Sequence, residues 1–283
     1  LAMRGVKKVV READFVAVVA DSWWRADQAL KKVRVEWDPG EFGAASDATI
    51  TAMFREGLAD PKMMEAKKAG DAAGALATAA KLVEAEYASP YLNHATMEPQ
   101  VCTAWVKPDG FVEVWTSTQN GEASLAEAAR TAGVPQEKCE VHKMMLGGGF
   151  GRRGAPQDFV RQGVKIAMAM PGKPVKLMWS REEDMQHGFY RPASLVKLRG
   201  GLDAQGRLVA FEARVACPSI LDTVMPGARK GGVDFTAVRT LSDMPYEIAN
   251  QYVGYALRNG HVPTGFWRAP GQQNGVYREC FLD

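Results

Sequence analysis

The chain has 283 residues, of which 46% are apolar and 24% charged, with a formal net charge of +2. That is the composition of a folded globular protein, long enough for one large domain or two ordinary ones, and it excludes a disordered or collagen-like chain. Acidic and basic residues are interspersed, so no basic field is directed at nucleic acid or a membrane surface.

The first forty residues read as strand, strand, helix, strand. Val6 to Val10 and Phe15 to Ala20 are β-branched or apolar runs. Asp21-Ser22 caps a helix from Trp23 to Lys32, and Val33 to Trp37 then alternates as a half-buried strand. Asp38-Pro39-Gly40 is a strong turn and the first boundary. From Glu41 to Ala80 the composition shifts to Ala, Met, Lys and Asp. Asp47 caps a helix through Leu58, Pro61 opens a short second one, and Ala72 to Ala80 is weakly helical. This stretch reads as a connecting arm rather than a core.

From Lys81 onward the pattern is mixed α/β. Leu82 to Tyr87, Val101 to Val106 and Phe111 to Thr116 are strands, with Pro108-Asp109-Gly110 turning between the last two. Asn120 to Ala132 is a helix closed by Gly133, and Cys139 to Leu146 is the next strand. A helix from Pro156 to Met170 follows, then a strand from Val175 to Trp179 and a capping box at Ser180-Arg181-Glu182-Glu183. Leu195 to Gly200 and Arg207 to Ala216 form a hairpin, and Tyr252 to Arg258 is a late strand. No internal repeat is visible.

The four cysteines form no CxxC pair, and His94, His142, His187 and His261 show no HxxxH or HExxH spacing. Neither a disulfide framework nor a metal site within the chain is expected. No apolar run approaches the ~18 residues of a membrane span. Leu1-Ala2-Met3-Arg4-Gly5 carries no signal peptide, and Glu279-Cys280-Phe281-Leu282-Asp283 stops inside a helical pattern, so both ends read as cut.

Three motifs carry chemistry. Leu146-Gly147-Gly148-Gly149-Phe150-Gly151-Arg152-Arg153-Gly154 lies between a strand and a helix. Consecutive glycines let backbone N–H groups approach a ligand that a Cβ would obstruct, and a helix N-terminus favours an anion. Gly149, Gly151 and Gly154 also match a dinucleotide-binding spacing. However, the preceding strand carries Glu140, His142 and Lys143, and no acidic residue ends the following strand. An unliganded tight turn is the plainer alternative. Trp115-Thr116-Ser117-Thr118-Gln119-Asn120 ends a strand and begins a helix, so Gln119 offers an amide to an oxo group or phosphate unless the motif merely caps the helix. In Thr264 to Asn274, Arg268 beside Phe266 and Trp267 suits an anionic or planar group; a core Trp with a solvated Arg is the alternative.

Together with Tyr91-Leu92-Asn93-His94-Ala95-Thr96-Met97-Glu98-Pro99 and the C-terminal Glu279 to Asp283, these motifs resemble the molybdenum-cofactor subunit of the xanthine oxidase and aldehyde oxidase family. The resemblance is greatest to the isoquinoline 1-oxidoreductase β-subunit group and runs over nearly the whole chain. It implies a mixed α/β chain with part of a small hammerhead-type domain (1–40), a connecting arm (41–80) and the first part of a molybdopterin-binding domain (81–283).

The resemblance further implies a molybdopterin dinucleotide, in its cytosine form, whose molybdenum carries oxo, sulfido and hydroxo ligands. Such enzymes hydroxylate an N-heterocycle or oxidise an aldehyde with oxygen from water. Electrons leave through 2Fe–2S clusters on a partner subunit; a cytochrome c subunit is a further candidate partner, and the periplasm is favoured over the cytoplasm. Carried over residue by residue, Gln119 resembles the amide that hydrogen-bonds an oxo group, and Arg268 the arginine that steadies substrate. Gly147, Gly148, Gly149, Phe150, Gly151 and Arg152 resemble the cofactor loop. Gly154 stands where purine-oxidising members have a glutamate, so a purine substrate is not expected. The family's base glutamate lies beyond this stretch, so the fragment alone is expected to be inert. A nicotinamide or flavin dehydrogenase and a non-catalytic scaffold subunit are the rival readings.

Overall fold

A computed structural model describes residues 3–229, 231–271 and 274–283. Leu1 and Ala2, and Gln272 and Gln273 of the third motif, lie outside the described residues. The chain forms two compact units, each assembled from two stretches: 1–40 with 94–188, and 41–93 with 189–283.

In the first unit, β1 (Val6–Arg11) and β2 (Val16–Ala20) form an antiparallel hairpin followed by α1 (Trp23–Leu30), whose N-cap is Ser22. Val33 to Trp37, expected as a strand, pairs with no described strand, and Val35 and Trp37 are exposed. Alternation shows only that one face is apolar; a strand also needs an edge to pair with.

The sheet of this unit contains β5 (Val101–Val106), β6 (Val112–Thr116), β7 (Cys139–Lys143) and β8 (Val175–Met178), in the order β7-β6-β5-β8. Only β6 and β7 run parallel; β5 pairs antiparallel with both β6 and β8. Cys102, Ala104, Val112 and Val114 bury one face of it against α4 (Gly121–Ala132) and α5 (Asp158–Met168). Val10 and Phe15 pack on Ile166 of α5, so the hairpin adds its own small core to that helix. A short α6 (Arg181–Gln186) follows β8, with the Ser180 hydroxyl accepting from the Glu183 N–H.

The second unit is built on a five-stranded sheet in the order β3-β11-β10-β9-β4. The ranges are β3 (Met64–Ala69), β4 (Lys81–Ser89), β9 (Ser194–Leu202), β10 (Leu208–Cys217) and β11 (Asn250–Leu257). The 41–80 stretch, expected as a connecting arm, is part of this core. Phe54 and Leu58 of α2 (Asp47–Ala59) are buried against β9, β10 and β11, and Ala72 and Leu76 of α3 (Ala72–Ala77) are buried too. No helix starts at Pro61; β3 forms there as an edge strand on β11. The helices α7 (Ile220–Val224), α8 (Phe235–Ser242) and α9 (Gly275–Leu282) complete the unit, and Ala237, Val238 and Leu241 join its main apolar cluster. Among the described residues no helix is long and apolar enough to cross a membrane.

Candidate functional site

Three segments of the first unit meet at the end of β6. The polar run after Thr116 divides its work. The Asn120 side chain accepts from the Ala123 N–H at 3.0 Å and caps α4, which closes at Gly133 in a left-handed conformation. Thr118 turns the chain, its hydroxyl accepting from the Asn120 N–H at 3.0 Å. Ser117 donates to the Met145 carbonyl at 2.9 Å and to the Glu98 carboxylate at 3.2 Å.

That leaves Gln119 with no capping task. Its Oε1 accepts from the Gly151 N–H at 2.9 Å and the Arg153 N–H at 3.3 Å. Two backbone donors on one side require the oxygen there, so the amide cannot be flipped without losing both bonds. Its Nε2 is left with no hydrogen bond to any described residue, on an exposed side chain.

The glycine run answers to the protein from one side. A Cβ on Gly147 would lie 2.4 Å from the Glu98 Cβ, and one on Gly149 would lie 2.4 Å from the Gln119 Oε1. The expectation that these glycines make room for a ligand is therefore corrected in part: two of them make room for Glu98 and Gln119. On the other side, the amides of Gly148, Gly149 and Phe150 donate no hydrogen bond within the described residues. Successive backbone N–H groups without acceptors are an anion-binding arrangement. Phe150 adopts φ 54°, a left-handed conformation uncommon for an aromatic residue, and its side chain is 45% exposed. The helix expected from Pro156 begins at Asp158, with an irregular turn between it and the glycines.

The two arginines after Gly151 face inward. Arg152, expected at the cofactor, is 1% exposed and forms a bidentate pair with Asp158 at 2.8 Å for both bonds. Its guanidinium also lies 5.7 Å from the Trp179 ring. The side chain thus anchors the start of α5, and only its backbone belongs to the loop surface. Arg153, to which no role was carried over from the sequence, is fully buried; burial pulls its pKa below the ordinary arginine value and the nearby Glu98 opposes the shift.

Arg268 belongs to the second unit. It is exposed and makes no hydrogen bond to a described residue, while neighbouring Trp267 is half-buried with the Arg191 guanidinium 5.7 Å from its ring. Ala269 next to it has φ 58°. Loop 264–268 is tied down at its base: the Gly265 N–H donates to the Tyr190 carbonyl at 2.9 Å and the Thr264 hydroxyl to the Ser219 carbonyl at 3.0 Å. Within the first unit the structure gathers Gln119 and the glycine loop into one cluster, and within the second Arg268 is an exposed cation. A cavity of about 470 Å³ in the second unit, lined by Ala66, Val233, Phe235 and Val238, contains none of these residues.

On the outer face of β6 and β7, Glu113, Glu140 and His142 approach one another within 4.8 Å. Glu113 lies 3.6 Å from one imidazole nitrogen and Glu140 3.9 Å from the other, while Lys107 pairs with Glu113 at 3.0 Å. Hydrogen bonding by Lys107 holds the Glu113 carboxyl below the ordinary glutamate value.

Residues 55–283 match the family of the molybdopterin cofactor-binding domain. The chain is 31% identical over 282 residues to a membrane-bound aldehyde dehydrogenase [pyrroloquinoline-quinone] of Gluconacetobacter polyoxogenes, covering 95% of this chain and 36% of that protein. It is 29% identical over 262 residues to the aldehyde oxidoreductase molybdenum-binding subunit PaoC of Escherichia coli K12, covering 92% and 33%. Quinoline 2-oxidoreductase from Pseudomonas putida 86 superposes with a TM-score of 0.73 at 18% identity, covering 100% of this chain and 41% of that one, which shows a shared fold. The chain spans about a third of the length of the curated relatives it matches.

Proposed function

Because this chain belongs to the molybdopterin cofactor-binding domain family of the molybdenum hydroxylases, we propose that it seats the molybdenum end of that cofactor. The enzyme concerned hydroxylates an N-heterocycle or oxidises an aldehyde with water as the oxygen source. The single observation that carries this reading is Gln119, whose amide oxygen is locked by two backbone N–H groups so that its NH₂ is left as a free donor on an exposed side chain. A preorganised donor of this kind stabilises negative charge on an oxygen without reorganising at the moment of reaction.

The bound cofactor supplies the redox chemistry. When it is bound, Gln119 would offer its amide donor to an oxygen of the cofactor, and the amides of Gly148, Gly149 and Phe150 would hold its anionic parts. Phe150 would shield it from water. Arg268 steadies the substrate and the negative charge that builds on it. Gly154 offers no carboxylate to a purine, which favours aldehydes or simpler heterocycles.

The cytosine dinucleotide form, a partner carrying 2Fe–2S clusters, a cytochrome c subunit and a periplasmic location all rest on the resemblance. Mass spectrometry of the released nucleotide tests the first, co-purification the partners, and a twin-arginine signal encoded upstream the location. A nicotinamide or flavin dehydrogenase is not favoured: the glycine loop follows β7 at the edge of a mixed sheet, not a central parallel strand. Elemental analysis of the purified full-length enzyme decides between the two. Stoichiometric molybdenum supports the proposal, whereas none, with an NAD-induced fluorescence change, overturns it.

A further inference from the structure

A buried guanidinium is costly unless its donors find acceptors and its charge a partner. Arg153 meets both conditions at 0% exposure. Its Nε donates to the Gly148 carbonyl at 3.1 Å. One terminal nitrogen donates to the Ser117 carbonyl at 3.1 Å, and the other to the Glu98 and Pro99 carbonyls at 2.7 and 3.1 Å. The Glu98 carboxylate, 3.1 Å away, supplies the countercharge. The backbone of the same residue is tied to Gln119 twice: its carbonyl accepts from the Gln119 N–H at 3.0 Å, and its N–H donates to the Gln119 Oε1.

Glu98 is used just as fully. One carboxylate oxygen accepts from the Ser117 hydroxyl and the other from the Gly147 N–H, both at 3.2 Å. Its own N–H donates to the Gly147 carbonyl at 2.9 Å. Arg181 of α6 holds the preceding residues from the other side, donating to the Thr96 and Met97 carbonyls.

We infer that Arg153 is the positioning residue of this site: paired with Glu98, it locks segments 98–99, 117–119 and 147–151 into one body and thereby aims the Gln119 amide and sets Phe150. A direct role in binding a cofactor phosphate is ruled out by its burial and by acceptors at each of its three nitrogens. Lysine is no substitute, because its donors radiate from one point and do not reach carbonyls spread around a planar fork. The catalytic consequence rests on the proposed seating of the cofactor, whereas the lock itself does not.

The test uses the full-length enzyme with its partner subunits and compares wild type, Glu98→Gln, Arg153→Lys, Gln119→Ala and the Glu98→Gln/Gln119→Ala double variant. Glu98→Gln keeps the size and most acceptors of the side chain, so it remains informative if Arg153→Lys fails to accumulate. Amide hydrogen exchange over 147–154 is expected to quicken about tenfold in Glu98→Gln, since the loop opens more readily once the ion pair is gone. Turnover per molybdenum atom is expected to fall about tenfold with KM unchanged, because a small misplacement of an aligned donor is felt in the chemical step.

The double variant is expected to lose no more turnover than Gln119→Ala alone, since Glu98 and Arg153 act through Gln119. Fully additive losses would reduce the pair to general structural support and overturn the inference. Wild-type exchange and turnover in Glu98→Gln would overturn it as well. If the wild-type enzyme contains no molybdenum, the cofactor reading fails by itself, and the exchange measurement still decides whether the lock exists.

Discussion

The loops 147–154 and 264–271 are built from the same ingredients with opposite polarity. In the first, Phe150 points outward while Arg152 and Arg153 are buried. In the second, Trp267 is half-buried and Arg268 is exposed. The difference lies in what each loop packs against. Behind the first are a carboxylate on Asp158, another on Glu98, and the carbonyls of Ser117, Pro99 and Gly148, enough acceptors to hold two cations out of water. No described residue accepts a hydrogen bond from Arg268. An arginine beside glycine and an aromatic is therefore no recognition device in itself; the local supply of acceptors decides whether it serves the fold or a ligand.

The largest effect is expected from breaking the buried side of that contrast. Arg153→Met strands the Glu98 carboxylate and several carbonyls, and unfolding by denaturant should show a loss of about 3–5 kcal/mol. A loss below 1 kcal/mol would mean that water replaces the guanidinium and that the contrast between the loops is shallow.

Arg268→Met should do the opposite, leaving stability within about 0.5 kcal/mol while lowering turnover per molybdenum by about 10²–10³ in the full-length enzyme. Arg268→Lys should fall nearly as far, because a flexible ammonium does not reproduce two aligned donors. Wild-type turnover in both variants would leave Arg268 as a solvated surface cation.

On the proposed seating of the cofactor, Gln119→Ala removes its donor as well as the acceptor for the Gly151 and Arg153 N–H groups, and should cost about 1–3 kcal/mol in kcat with metal retained. Unchanged kcat at full metal content would reduce Gln119 to a support for the Gly151 and Arg153 amides.

The smallest effect is expected where Asp14 of the hairpin turn pairs with Arg161 of α5. The hydrogen bond from Arg161 lowers the Asp14 pKa from its usual 3.8, with burial opposing. A depressed carboxylate stabilises the fold above its unfolded pKa and loses that contribution as pH falls through the folded value. The pair is half-exposed, so Asp14→Asn should cost less than about 1 kcal/mol at pH 7. The difference from wild type should disappear as the pH drops below about 4. A difference that persists undiminished as the pH falls through the folded value would show that packing, not charge, joins the hairpin to α5.

Most elements were legible because their signals are local. Ser22, Asn120 and Ser180 cap the helices expected after them, and Gly133 ends α4 as a left-handed residue. Strands β5, β6, β9, β10 and β11 lie where apolar and β-branched runs put them. Two expectations failed where pairing overrode pattern. Val33 to Trp37 has strand alternation and no partner strand among the described residues, whereas Met64–Ala69, a helix-like composition, is drawn into the sheet by the open edge of β11.

At the candidate site, the amino-acid order alone determined that Gln119 stands at a strand end, that a glycine loop follows β7, and that Arg268 sits among aromatics. It did not determine which glycines face protein, which arginine is buried, or that Glu98 closes the site from 49 residues before Gly147. Local sequence encodes backbone preference through nearest neighbours, whereas the fate of a charged side chain depends on acceptors supplied by distant segments. Only the tertiary structure brings those acceptors together, and so only it separates Arg153, held by Glu98 and three stretches of backbone, from Arg268, held by none of the described residues.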